Sequence, residues 1–255
     1  MIGKIFALGK KIYNLKNKRE LHRYIVFCAR AAIHRHALAD LYRWFDETED
    51  RRKILAANPF PIEQATRAFF YAGSTVRERI DLIMAHYAFL EKRLAPAWFV
   101  KISALDDRVP IWQCKDRDVD WKTQIHFFPG QRKEGLLALE MMWNDTPLYQ
   151  IMFWLNVDND GNDGLFIGAI QGAAGDSAAQ MIKEATKKAH RYRTKNLILY
   201  MLRAFARALS VKKLYAVSNS GYYAMNHMRR DRKLKTDFGA FWEETGGVVT
   251  KDLRF

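Results

Sequence analysis

The chain has 255 residues and a formal net charge of +14, a length that suits one large domain or one domain with a helical extension. Hydrophobic residues make up 49% of the chain and charged residues 27%, which excludes a disordered chain and predicts a globular core. The basic excess favours acidic partners such as nucleic acid, anionic lipid headgroups or phosphorylated ligands.

The cysteines and the apolar runs indicate the compartment. Cys28 and Cys114 lie far apart, outside any disulfide-scaffold or metal-type spacing, which fits a reducing environment. The first 23 residues lack the apolar core and cleavage site of a secretory signal. The run "LILYMLRAFARAL" is broken by Arg203 and Arg207, so no transmembrane span is expected. We therefore expect a cytoplasmic protein.

Residues 1–95 are predicted to be helical, because apolar residues recur at three- and four-residue steps in "RYIVFCARAAIHRHALADLYRWF". Within residues 1–23, seven lysines and arginines stand against Glu20 alone and alternate with apolar residues. Such a basic amphipathic helix is suited to an acidic membrane surface. The alternative is a helix packed on the core with a solvated basic face.

From Pro96 onward the pattern changes to short runs rich in β-branched, aromatic and aliphatic residues, separated by turn residues. This alternation predicts an antiparallel meander, with strands in "AWFVKIS", "VPIWQCK", "TQIHFF", "GLLALEMMW", "LYQIMFWLNV" and "GLFIGAIQG". The segment "DNDGNDG" (158–164) can be aligned with a twelve-residue calcium loop that begins at Asp158. The sixth position is Asp163 and the twelfth is Ala169, where a calcium loop needs Gly and Glu. We interpret it as a hairpin turn, and no metal site is expected.

After the meander, the sequence predicts two helices followed by a short strand. Ser177 and Gln180 have the spacing of a capping box that starts the first helix. Thr194 is a candidate N-cap for the second helix, and "LYAV" (214–217) is predicted to pair within the sheet. The glycine-containing loop before Ser177 can cradle a phosphate with its backbone N–H groups. The alternative is a plain strand-to-helix connection.

The segment from Ser177 to Lys213 carries ten basic residues against Glu184. Arg193 and Lys195 lie at a predicted helix start, where a cation is unfavourable unless an anion or a carboxylate compensates it. We therefore predict that these two residues bind an anionic ligand. The alternative is a structural pairing with an acid such as Glu243 or Glu244.

The order of these elements resembles that of GNAT-type acyltransferases. The stretch "RYRTKNLILYMLRAFARALSVKKLYAV" is similar to their pyrophosphate loop, helix and strand, and "FGAFWEETGGV" is similar to the helix end and turn that follow. The resemblance implies a GNAT-like α/β unit whose helix start holds the pyrophosphate of coenzyme A. The glycine-rich loop of those enzymes is absent from "HRYRTK".

The chain also resembles the VirK/YbjX family of bacterial proteins, through "EGLLALEM" (134–141), "LFIGAIQG" (165–172), residues 182–209, "LYAVSN" (214–219) and "FWEETGG" (241–247). It departs from that pattern at Arg191 and Thr194, where a Gly and a Pro are expected. The resemblance implies a Gram-negative protein linked to virulence, envelope integrity and resistance to cationic antimicrobial peptides. It brings no established chemistry.

The first functional hypothesis is a GNAT-like acyl or aminoacyl transferase within an α+β fold, with a helical region at 1–95 and a GNAT-like domain at 96–255. Its donor is an acyl-CoA or another phosphate-bearing molecule. Such chemistry needs a base and an anion clamp. The candidate bases are Glu140 and His190, and the candidate cofactor-binding residues are Gln171, Gly172, Arg191, Arg193, Lys195 and Asn219.

Two other hypotheses remain open. One is a non-catalytic regulator or scaffold on the inner face of the inner membrane, or a stress or DNA-damage-response protein. The other is nucleic-acid binding. No helix-turn-helix, RRM or zinc-finger signature is present, so specific nucleic-acid recognition is not expected.

Overall fold

The computed structural model describes residues 2–105, 107–116, 118–226 and 237–255. Its first part is helical, as predicted for residues 1–95. The helices are α1 (Ile2–Ile12), α2 (Lys18–Ile33), α3 (Arg35–Asp46), α4 (Glu49–Ala57), α5 (Phe60–Thr66), α6 (Val76–Arg93) and α7 (Pro96–Ser103). Helix α6 begins with a capping box in which the Thr75 and Glu78 side chains bind each other's backbone N–H groups.

The second part contains the sheet. Its elements are β1 (Val109–Asp116), β2 (Val119–His126), β3 (Leu137–Trp143), β4 (Thr146–Val157), β5 (Asp163–Gly172), α8 (Ala178–Lys188), α9 (Thr194–Ala208), β6 (Lys213–Ala216) and α10 (Phe238–Glu244). Two 3₁₀ turns lie at Pro129–Gln131 and Tyr223–Asn226.

Helix α7 corrects one prediction, because "AWFVKIS" was expected to be the first strand. Pro96 occupies the first turn, where its fixed φ suits a helix. The buried residues Phe99, Ile102 and Ser103 are spaced by three and four residues and so lie on one helical face. Short apolar runs of this kind do not distinguish a strand from a helix by composition alone.

In the described residues the strands form a six-stranded sheet whose spatial order follows the chain, from β1 to β6. Strands β1 to β5 pair antiparallel, and β6 pairs parallel to β5. The "LYAV" prediction is therefore confirmed. The predicted hairpin turn is confirmed too, since Asp158 Oδ1 accepts the backbone N–H groups of Asp160 and Asn162 at 2.9 and 2.8 Å.

Helices cover both faces of the sheet. Phe205 of α9 packs against Phe153 of β4 on one face, with ring centroids 5.9 Å apart. On the other face, His86 of α6 accepts a hydrogen bond from the backbone N–H of Leu155. The buried apolar residues of both parts join in one core, and the α+β class is confirmed. The division into 1–95 and 96–255 stays a prediction.

The starts of α8 and α9 differ from the expected caps. Ser177 precedes α8, but its ψ of −5° is helical and its side chain makes no capping bond. Gln180 instead donates to Glu184. At α9, Arg193 is the capping residue and Thr194 is the first helical residue. Both capping predictions are wrong, because the backbone angles set by the preceding turns do not direct these hydroxyls toward the free N–H groups of the helix start.

Helix α1 uses its apolar face inside the protein. Ile5 and Leu8 are buried, and Gly9 lies so close to Phe27 that an added Cβ would be 2.6 Å from its ring. Lys10 and Lys11 remain exposed. This arrangement matches the alternative of a core-packed helix with a basic outer face. Across the described residues, each helix is too short or too polar to cross a bilayer.

Candidate functional site

Strands β5 and β6 pair over four residues and then part. The last pair is Ile167 with Ala216, and the backbone N–H of Val217 still donates to Ile167 O at 2.9 Å. Beyond this point β5 continues beside β4, while the segment that follows β6 turns away into residues 218–222. We call this parting point, with the side chains of residues 131, 134, 171 and 222, the β5–β6 corner.

A bulge in β5 marks the corner. The register with β4 shifts at Gly168, which is the extra residue. A Cβ at Gly168 would lie 1.8 Å from the carbonyl oxygen of Glu134. Glycine is therefore required there, because only a hydrogen permits so close a backbone approach. The bulge thus fixes Glu134 against the end of the sheet.

The Glu134 carboxylate is the centre of the corner. Its side chain is 2% exposed. Gln171 Nε2 donates to Glu134 Oε2 at 2.7 Å, and the Tyr222 hydroxyl donates to Oε1. Gln171 Nε2 also donates to Gln131 Oε1 at 3.1 Å. The corner therefore joins the loop before β3, the end of β5 and the loop after β6.

Burial dominates the electrostatics of this pair. Desolvation raises the pKa of Glu134 from its ordinary 4.5 to about 7, although its hydrogen bonds from Tyr222 and Gln171 act in the opposite direction. Desolvation, and then the Glu134 charge, raises the pKa of the Tyr222 hydroxyl far above 10. Near neutral pH the carboxyl group can thus take up or release a proton, while the phenol keeps its own. This is the behaviour of a general base beside a proton donor.

The helical part contributes the outer wall of the corner. Phe70 N donates to Lys133 O, and Ala72 N donates to Gly221 O, both at 2.8 Å. Phe70 is fully buried and has a φ of 69°, a left-handed conformation that is strained for a bulky residue. Strained backbone of this kind clusters at functional sites.

The C-terminal segment braces the loop that carries Tyr222. Ser218 N donates to Arg254 O at 2.9 Å, and Ser218 Oγ donates to Leu253 O at 2.7 Å. A Cβ at Gly221 would lie 1.9 Å from Arg254 O. The loop after β6 is therefore held between residues 253–254 and the helical part, which fixes the position of the Tyr222 hydroxyl.

An apolar cavity of about 340 Å³ lies beside the paired part of β5 and β6. Ile167, Leu199 and Trp242 line its apolar walls. Arg203 lines it too, whereas Lys213 in the lining is already paired with Asp158 and Asp160. Ser218 lines it as well, four residues before Tyr222. The cavity has the size and character to hold an apolar chain, with Arg203 at its wall.

The sequence-predicted residues fall into four places. Gln171 lies in the corner, where it binds Glu134 rather than a cofactor in this structure. Gly172 follows it at the end of β5, and an added Cβ would be 3.0 Å from the Tyr149 ring. These two predicted residues do reach the candidate site.

Glu140, a predicted base, lies away from the corner on β3 and is 1% exposed. Arg108 Nη1 donates to its Oε2 at 3.0 Å, Gln150 Nε2 donates to Oε1 at 2.6 Å, and Gln124 donates as well. The His126 ring nitrogen is 3.6 Å away. A carboxylate with this many donors is suited to holding β2, β3 and β4 together, so the geometry favours a structural role.

Most of the other predicted residues lie in the basic turn. We define this turn as residues 189–195, which follow α8 and include the start of α9. His190, the second predicted base, is exposed and its Nε2 lies 2.9 Å from Asp116 Oδ2. Arg193 forms an ion pair with Glu244. The Lys195 ammonium group lies 3.7 Å from the centre of the Phe241 ring, and desolvation lowers its pKa.

Two features of the basic turn explain the family pattern. Arg191 is exposed and has a φ of 65°, a conformation that glycine adopts at no steric cost. Thr194 is the first residue of α9, a position that favours proline. The Gly and Pro expected there thus suit this backbone. Asn219 lies outside the turn, where its side chain binds Asp237 Oδ1 and Phe238 N at 2.8 Å each and so holds the start of α10.

Sequence reasoning missed Glu134, Tyr222 and Gln131. Glu134 does open the block "EGLLALEM", which also contains the predicted Glu140. The signal that separates the two carboxylates is the following Gly135, where a Cβ would meet the Phe153 backbone at 2.6 Å. Two glycines, at 135 and 168, thus pack closely beside Glu134.

These features define an α+β protein whose mainly antiparallel sheet carries a buried carboxyl–phenol pair where its last two strands part. The chain belongs to the family described as "Protein of unknown function (DUF535)", whose model matches residues 16–255. This is the VirK/YbjX family.

Two curated relatives are similar to the chain over part of its length. It is 36% identical over 193 residues to "Uncharacterized protein YbjX" of Escherichia coli strain K12, which covers 74% of this chain and 58% of the relative. It is 24% identical over 130 residues to an "Uncharacterized protein" of Haemophilus influenzae, covering 51% and 43%. The chain therefore spans about half the length of these relatives. No solved structure matches it, so the GNAT resemblance rests on the order of elements.

Proposed function

We propose that this protein is a GNAT-like acyl or aminoacyl transferase in which Glu134 is the general base and Tyr222 the general acid. The observation that supports the proposal is a carboxyl group with a pKa of about 7 buried at the β5–β6 corner. Buried carboxyl groups with pKa values near the working pH are typical of catalytic bases. The order of α9, β6 and α10 agrees with the GNAT resemblance.

The reaction would proceed by proton transfer through this pair. An acceptor amine or hydroxyl takes the place of the Tyr222 hydroxyl at Glu134 Oε1. Glu134 removes its proton as the acceptor nitrogen or oxygen bonds to the acyl carbon. The bond between the acyl carbon and the donor's leaving group then breaks, and Tyr222 protonates the departing atom. The proton on Glu134 then returns to the Tyr222 phenolate, directly or through a water molecule, which balances the cycle.

The donor would be an acyl-CoA or another phosphate-bearing molecule. The apolar cavity beside Ile167 fits its apolar chain, and Arg203 in the cavity lining fits its anionic part. Glu134 does not line that cavity among the described residues. Donor binding and proton transfer can therefore be tested by separate variants.

The family resemblance supports the cellular setting of this proposal. A transferase that modifies an envelope component would support envelope integrity, virulence and resistance to cationic antimicrobial peptides, working in the cytoplasm or on the inner face of the inner membrane. The alternative is a non-catalytic regulator or scaffold at that membrane, or a stress or DNA-damage-response protein. It predicts full biological activity when Glu134 is neutralised.

The test compares two buried carboxylates six positions apart. Melting temperatures with acyl-CoAs and other nucleotides identify a donor, because a ligand bound by the native state stabilises it. Release of the donor thiol is then followed with a panel of amines. We expect Glu134→Gln to lower turnover by about 10²-fold or more and to abolish the dependence of kcat/KM on a group with a pKa near 7.

The matched variant is Glu140→Gln, assayed at a temperature where it is folded. It should retain turnover and the pH dependence. Loss of turnover in Glu140→Gln with normal turnover in Glu134→Gln would transfer the role of base to Glu140. If no donor raises the melting temperature and no amine is acylated, the transferase proposal is wrong.

A further inference from the structure

Helix α2 has an apolar stripe on its outer side as well as on its inner side. Phe27 and Ala31 are buried against the core. On the outer side Leu21, Ile25 and Ile33 are 39%, 57% and 71% exposed. Leu21, Ile25, Ala29 and Ile33 follow one another at steps of four residues and are all exposed, so they share one outward face, which we call the α2 stripe.

Basic residues surround this stripe. Residues 14–36 contain Lys16, Lys18, Arg19, Arg23, Arg30 and Arg35, against the single acid Glu20. Glu20 forms an ion pair with Arg23 on its own helix. The surface around the α2 stripe therefore keeps a strong positive charge, and Arg19, Arg30 and Arg35 are all exposed.

We infer that the α2 stripe docks on the surface of an anionic lipid bilayer. Exposed isoleucines framed by arginines and lysines suit a helix that lies parallel to the membrane, with its apolar side chains below the headgroups. The long basic side chains reach the phosphate groups while their methylene stems cover apolar surface. A protein partner of ordinary charge would leave this ring of cations without compensation.

This inference moves membrane contact from α1 to α2. In α1 the apolar residues Ile5 and Leu8 pack within the protein, as described above, and Ile2 at its start is exposed, so that helix offers lysines but no continuous apolar face to a bilayer. The α2 stripe offers both. The inference is independent of the proposed transferase, because it uses no residue of the β5–β6 corner or of the apolar cavity.

The experiment measures flotation of the full chain with vesicles of phosphatidylcholine, alone or mixed with phosphatidylglycerol. The test variant is Ile25→Gln/Ile33→Gln. The matched control is Val248→Gln/Val249→Gln, because these valines are exposed to a similar degree, 86% and 74%. Circular dichroism and the melting temperature establish that each variant is folded.

We expect wild type and the valine variant to bind the mixed vesicles, and the isoleucine variant to bind at least about tenfold more weakly, since burial of each isoleucine contributes to binding. Arg19→Gln/Arg30→Gln should also weaken binding, and most strongly at low salt, because salt screens the attraction that these arginines provide. Donor binding and thiol release should be unchanged in the isoleucine variant.

Three results would overturn the inference. The first is equal binding by the wild-type and isoleucine variants. The second is equal binding of wild type to vesicles with and without phosphatidylglycerol, which would remove the role of anionic lipid. The third is a concentration-dependent dimer in sedimentation that disappears in the isoleucine variant without any vesicle binding, which would assign the stripe to a second copy of this chain.

Discussion

The basic turn and the β5–β6 corner differ in how their charges are balanced. The basic turn is rich in cations, yet its described side chains are exposed or paired with acids from distant parts of the chain, such as Asp116 and Glu244. In the corner a single carboxylate is buried, and among the described residues its two hydrogen-bond donors, Gln171 and Tyr222, carry no charge.

This difference affects how readily each region can exchange a proton. Exposed ion pairs in water contribute about 0–1 kcal/mol and leave each group close to its ordinary state. A buried carboxylate without a cationic donor keeps the free-energy cost of its charge and can give it up by binding a proton. Local charge density therefore identified a region whose charges are mostly paired or solvated, and the proposed base lies elsewhere.

Substitution of Gly168 should break the corner and leave the basic turn intact. An added Cβ would collide with the Glu134 carbonyl at 1.8 Å, so we expect Gly168→Ala to lower the free energy of unfolding by about 4 kcal/mol or more. Urea denaturation measures the loss. The control is Gly239→Ala in α10, where the nearest atom would be 3.5 Å away and the change should stay within about 1 kcal/mol. Equal effects of the two changes would show that the bulge is not tightly packed.

The pH dependence of stability should report Glu134 directly. Because its pKa rises from 4.5 to about 7 on folding, the folded state binds this proton more tightly than the unfolded chain. The contribution of Glu134 to the free energy of unfolding is therefore most favourable below pH 4.5. It falls as the pH rises to about 7 and is constant above that. The difference between the two pKa values corresponds to about 3 kcal/mol.

Glu134→Gln should remove this dependence. Measured by urea denaturation from acidic to alkaline pH, the stability of the variant relative to wild type should increase by about 3 kcal/mol across that window. A parallel pair of curves would mean that the carboxyl group is hydrated in solution, and the contrast with the basic turn would disappear.

The basic turn should show the smallest response. In Arg193→Gln/Lys195→Gln, an exposed ion pair and a contact with the Phe241 ring are lost, so we expect a destabilisation of about 1 kcal/mol. Arg207→Gln/Lys212→Gln, on exposed positions of the same segment, should change stability by less. Thermal denaturation measures both. The anion site predicted at Arg193 and Lys195 stays a prediction, and an unchanged melting temperature together with loss of donor binding would support it.

Much of the fold could be predicted because its strands follow one another in sequence. Alternating apolar residues and a turn such as Asp158 to Gly164 determine neighbouring strands locally. Helix α7 escaped prediction, because seven residues such as "AWFVKIS" satisfy strand composition and a helical face equally well. The capping bonds predicted for Ser177 and Thr194 were wrong, since residue type does not fix the backbone angles that a cap requires.

The candidate site could be predicted only in part. Gln171 was found because it ends a recognisable strand. Glu134 and Tyr222 are 88 positions apart, and neither lies in a motif with a known spacing. Their meeting depends on the bulge at Gly168 and on the path of the chain after β6, which are properties of tertiary packing. Of the acids that balance the basic turn, Glu244 was predicted as an alternative partner of Arg193, whereas Asp116 was missed for the same reason.

The sequential strand order also has a consequence for biosynthesis. Strands β1 to β5 can pair one after another as the chain leaves the ribosome, since each new strand finds its partner directly before it. The corner cannot close in this way, because Tyr222 follows α8, α9 and β6, and its loop is braced by residues 253–254. Until residues 253–254 emerge, the corner is not fully assembled and Glu134 lacks part of the burial that raises its pKa. The raised pKa of this carboxyl group therefore depends on residues that are synthesised long after it.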